Sequence, residues 1–123
     1  MNRIIYLRIM AVIAMILGAM AVVAGGKVLA GVSVPDYHVI PWLVKYNVAM
    51  GVVTIVTAVF LWLKHPWGKV GAMVITTAHI IVLVLLLTVF SGEVAQHSVN
   101  AMTFRATVWI LLLAFIRKNY HVV

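Results

Sequence analysis

Basic residues bracket the apolar runs of this chain and rarely interrupt them. Arg3 and Arg8 precede the first run, Lys64 and Lys69 separate the second from the third, and Arg117 and Lys118 close the fourth. A helix needs about 20 residues, at about 1.5 Å each, to cross roughly 30 Å of hydrocarbon. The pattern therefore predicts an all-α integral membrane protein, a four-transmembrane-helix antiparallel bundle forming a single membrane domain over residues 1–123. The spans fall at about 5–25, 41–63, 70–90 and 97–117. Composition agrees: 66% of the residues are hydrophobic, 9% are charged and the mean hydropathy is +1.20. Soluble domains are about half apolar and a quarter charged.

The breaks between spans carry their own signals. From Ile9 to Ala24 the first span has sixteen uncharged, largely apolar residues. A secretory signal shares its grammar of basic start, apolar middle and small residues near Ala24 to Gly26; a retained first span is the expectation taken here. Ala14 with Gly18, and Ala21 with Gly25, are spaced four apart, which lets a neighbouring helix come close. Gly25 to Ile40, with its glycines, Ser33 and Pro35, reads as a loop. Pro41 suits a first helical turn, and Trp42 and Tyr46 fall where an interfacial aromatic belt is expected. Lys64-His65-Pro66-Trp67-Gly68-Lys69 reads as a tight basic loop in which Pro66 and Gly68 break the helix.

The formal net charge of +7 is explained by topology. The basic residues flank apolar runs and form no aromatic-interleaved patch, so nucleic acid is not an expected partner. Six cations lie on one side, while Lys27 and Lys45 share the other with the two acids, Asp36 and Glu93. The positive-inside bias then puts both termini in the cytoplasm, and the expected location is the cell (inner) membrane. The chain has no cysteine, which excludes disulfides, thiolate metal sites and thiol redox chemistry.

The fourth span has a clean apolar run, Val108 to Ile116, of only nine residues and must absorb polar residues before it. Counting back from Arg117 puts Arg105 about 18 Å deep, near the bilayer middle. Glu93, Gln96, Asn100, Thr103 and Thr107 fall on one side of this helix, with His97 at the edge, and Arg105 points away from that stripe. A charge at mid-membrane is costly and needs protein, water or a counter-ion beside it. His79 and Thr54 reach a similar depth of about 15 Å on their own spans. Asn47 lies in the outer turn of the second span. His79, Arg105, Thr54, Asn100, His97 and Asn47 are therefore the candidate residues for binding a ligand or partner. Each has a plain structural reading too, and Thr54 is expected to satisfy itself on its own backbone. His79 is expected to share a proton with Thr76 or a carbonyl.

No nucleophile, base and orienting group line up, and no glycine-rich phosphate loop is present, so no enzymatic activity is expected. The composition and the buried polar layer point to a structural or interaction subunit, or to a binder of an anionic or lipidic molecule. The expected partners are the bilayer and either further copies of the chain or other membrane subunits. A second reading is a haem-b or quinone-linked electron-transfer subunit, with His79 as ligand and His38 with His97 as an outer pair. A third is a small proton-coupled carrier titrating on His79. No His-x-x-x-His or Glu-x-x-His spacing suggests a metal site.

Overall fold

The computed structural model describes residues 3–36, 39–92 and 94–119. Four helices account for most of them: α1 (Arg3–Leu29), α2 (Pro41–Trp62), α3 (Pro66–Leu87) and α4 (Gln96–Asn119). Each is long and apolar enough to cross a membrane, which is compatible with a multi-pass membrane bundle. One buried cluster joins Leu7 and Met10 at the start of α1 to Leu61 at the end of α2, Ala72 and Ile75 early in α3, and Ile116 late in α4. Successive helices therefore run in opposite directions. In the ring that results, α1 packs on α2, α2 on α3 and α3 on α4, and α4 closes sparsely on α1.

The helix ends differ from expectation in two places, both for local reasons. At the second turn the helix resumes at Pro66 rather than near residue 70. Proline at the first helical position has no N–H to lose and is preset in φ. His65 acts as the cap, its Nδ1 accepting from the Trp67 backbone N–H at 3.1 Å. Only Lys64 and its neighbours turn, with Lys64 at φ 57°. Gly68 is thus inside α3, where an added Cβ would come within 3.0 Å of the Leu61 backbone nitrogen. At the first loop, α1 continues through Gly25 and Gly26 to Leu29. Gly25 serves contact rather than termination, since a Cβ there would lie 2.6 Å from Val48 Cγ2.

The α1–α2 seam is built on glycine from both sides. A Cβ on Gly18 would lie 2.9 Å from the Gly51 carbonyl oxygen, and one on Gly51 would lie 3.0 Å from that of Gly18. Small residues allow such backbone approach between apolar helices, where dispersion and close packing replace the hydrophobic drive available in water. At the terminal end of this seam the Arg8 guanidinium sits 4.7 Å from the Trp62 ring centroid.

The core changes membership along the bundle. The cluster nearer the termini draws on all four helices. The cluster nearer the long loops, Ile40, Leu43, Val82, Leu86 and Met102, contains no residue of α1. At that end α1 and α4 stand apart, and between the two clusters lies a polar layer. The expectations attached to His38 and Glu93 lie outside the described residues.

Candidate functional site: a crevice and an inner chamber

Arg105 extends from α4 across the bundle, and its Nη1 donates to Asn47 Oδ1 on α2 at 3.0 Å. A guanidinium only donates, so the amide must present its oxygen, which fixes the Asn47 orientation. The amide NH2 is left facing elsewhere. One turn on from Tyr46, the Met50 carbonyl accepts from the Thr54 hydroxyl at 2.6 Å, the self-satisfied arrangement expected for an intramembrane threonine.

His79 is buried in the middle of α3 and bonds Tyr46 on α2, with the hydroxyl 2.7 Å from Nδ1 and the two rings edge to face. This corrects two expectations. Thr76 does not serve His79: its hydroxyl donates to its own Ala72 carbonyl at 2.7 Å and lies 3.3 Å from the Trp109 carbonyl. Tyr46 does not belong to an aromatic belt; it turns inward, packing against the loop-end cluster while its hydroxyl reaches the histidine. Periodicity carried a signal for it, because Tyr46, Met50 and Thr54 recur every four residues and so share one helix face.

Asn47, Thr54, His79 and Arg105, from three helices, line one small chamber together with Gly51 and Trp109. Its volume of about 20 Å³ holds one water-sized species. Asn47 and Arg105 also line a second, much larger space, a crevice of about 720 Å³ where α1 and α4 stand apart. Apolar side chains such as Met20, Val23, Leu43 and Met102 form much of its wall. Lys27, Ser33, His97 and Ser98 add polar groups towards the loop end. The Arg105–Asn47 pair therefore stands between the two spaces.

Two candidates fall apart from this arrangement. His97 is exposed and lines the crevice but not the chamber. Asn100 is exposed and accepts from Gln96 Nε2 at 2.8 Å on its own helix, away from both spaces. With Thr103 and Thr107 it forms the stripe foreseen on α4, and all three face outward while Arg105 turns in. The Thr103 hydroxyl donates to Val99 O at 2.7 Å. No group of three or more metal-binding side chains occurs among the described residues. The chain matches no known protein-family model, no curated protein and no solved structure.

Proposed function

We propose that the protein is a small multi-pass membrane protein without catalytic activity of its own that binds an amphiphilic organic anion in the crevice between α1 and α4. The observation that carries this reading is the makeup of the crevice, apolar along its walls with a guanidinium and an amide at one boundary. An arginine fork matches a carboxylate or phosphate, and its pull is stronger where water is sparse. A volume of about 720 Å³ is within the range of small-molecule sites, roughly 300–1,000 Å³. From His97 to Arg105 is eight residues, about 12 Å along the helix. The ligand is thus a molecule with one anionic end at Arg105 and an apolar body about that long.

The proposed orientation follows from charge. Arg8, Lys64, Lys69, Arg117 and Lys118 gather at the end of the bundle where the termini lie, and the positive-inside bias assigns that end to the cytoplasm of the cell (inner) membrane. The crevice then faces the opposite side. Native mass spectrometry in mild detergent tests the reading. Wild type is expected to carry an anionic adduct of a few hundred daltons that Arg105→Gln loses; a bare chain for both proteins decides against it.

A further inference from the structure

We propose that the outward face of α4 joins two copies of this chain into a parallel dimer, with the polar stripe that begins at Gln96 as its seam. Gln96, Asn100, Thr103 and Thr107 are all exposed, and none of them lines the crevice or the chamber. The surface is thus separate from the crevice ligand. The steps of four, three and four residues continue through Ile110 and Ala114, which are exposed too. At about 100° per residue these six positions fall within an arc of about 80°, directly opposite Arg105. Alternating threes and fours is the heptad spacing that keeps one seam in line along two helices crossing with a left-handed twist. From Gln96 to Ala114 is eighteen residues, about 27 Å along the helix, so the seam runs most of the way across the hydrocarbon.

Asn100 and Thr107 stand about 26 Å and 15 Å from Arg117, both within about 30 Å of hydrocarbon, where lipid offers polar atoms nothing to bond. Thr103 satisfies its hydroxyl on Val99 O at 2.7 Å. Thr107 has no such bond among the described residues. Gln96 donates to Asn100 Oδ1 at 2.8 Å, which leaves the Asn100 NH2 group and the Gln96 carbonyl oxygen without partners among the described residues. A second copy supplies what is missing. Copies inserted under the same charge bias share one orientation and one depth, so across a two-fold axis along the membrane normal each stripe residue faces its own counterpart. An amide carries both donor and acceptor, and so does a hydroxyl; Asn100 and Thr107 are therefore complementary to themselves, as a charged side chain is not. The outward face of α3 lacks this pattern. Thr77 is exposed there, but its neighbours one turn away, Met73, Val74, Ile80 and Ile81, are exposed and apolar.

The cysteine-free chain allows the seam to be mapped one residue at a time. In liposomes at high lipid dilution, oxidation is expected to give disulfide dimers for Asn100→Cys, Thr103→Cys, Thr107→Cys and Ile110→Cys, whose counterparts come within disulfide reach. Phe104→Cys and Phe115→Cys, exposed on the flank of the seam, should give little. A second measurement follows energy transfer between chains labelled on the α-amino group as lipid is added. Asn100→Leu is expected to raise the dissociation constant about tenfold or more, the scale of two interhelical hydrogen bonds lost by symmetry, while Thr77→Leu leaves it unchanged. Both side chains are exposed, so each variant keeps the bundle. Equal cross-linking at seam and flank means collision only and overturns the proposal. A wild type that is monomeric at every dilution overturns it, as does a dimer whose affinity is unchanged by Asn100→Leu or weakened equally by Thr77→Leu.

Discussion

Asn47 and Arg105 are joined oxygen to guanidinium at 3.0 Å although α2 and α4 are not packed on each other. One side-chain bond thus spans the diagonal of the bundle. Replacing Asn47 with leucine removes the acceptor and puts a methyl-rich group against a charge, and a hydrogen bond to a charged group contributes about 1.5–3 kcal/mol. Asn47→Leu is expected to lower stability in detergent by about that amount, whereas Asn47→Asp retains wild-type stability or exceeds it. Equal unfolding midpoints for wild type and Asn47→Leu would show that the bond holds nothing.

The glycine seam makes a sharper contrast. Ala at Gly18 or Gly51 drives a Cβ onto the facing backbone, and each is expected to cost about 1–3 kcal/mol as overpacking. The double substitution should cost less than the sum, because the first forces the helices apart for both. Gly26 is the control. It lies in the same helix with nothing within 4 Å of its Cβ position, so Gly26→Ala should raise stability by about 0.5–1 kcal/mol through backbone entropy alone.

How the sequence conveys this architecture differs from element to element. The four long apolar helices were legible because apolar length and flanking charge are local properties, and so was the four-residue spacing of small residues in α1. Gly51 was not singled out, since a glycine contact needs the facing helix to be known. Proline and glycine at Pro66 to Gly68 were read as helix breakers because their helix-starting and helix-packing roles look the same in a linear string. At the site, depth counting put His79, Thr54 and Arg105 near one layer, and Asn47 was named without its partner. The crevice had no signal at all: it exists because α1 drops out of the loop-end core, which depends on all four helices at once.

Tyr46 and His79 form the other contact across the polar layer, and a double-mutant cycle measures it. Tyr46→Phe keeps the ring and its packing while removing the hydroxyl. Combined with His79→Phe, it should give a coupling energy of about 0.5–1.7 kcal/mol, the range for hydrogen bonds between membrane helices. A coupling of zero would mean that the two side chains are neighbours without a bond.

Topology is open to direct labelling because the native chain is free of cysteine. Single cysteines at His65 and Ser33, both exposed, report on opposite ends of the bundle. The one at residue 65 is expected to react only with reagent on the cytoplasmic side and the one at residue 33 only from the other face. Labelling of both from the same side would contradict the four-span arrangement.

The withdrawal of α1 from the loop-end cluster also divides the molecule mechanically. From about Gly18 to Leu29 this helix is held by its seam with α2 and faces an opening on its α4 side, whereas its first half is locked into a cluster of four helices. Few buried contacts mean low local opening energy. Backbone amides in the second half of α1 should therefore exchange with deuterium well before those of the first half, and a molecule filling the crevice should slow them. The chain is in this sense a vise with one fixed jaw, in which α1 can yield at its loop end without loosening the Arg105–Asn47 bond behind it.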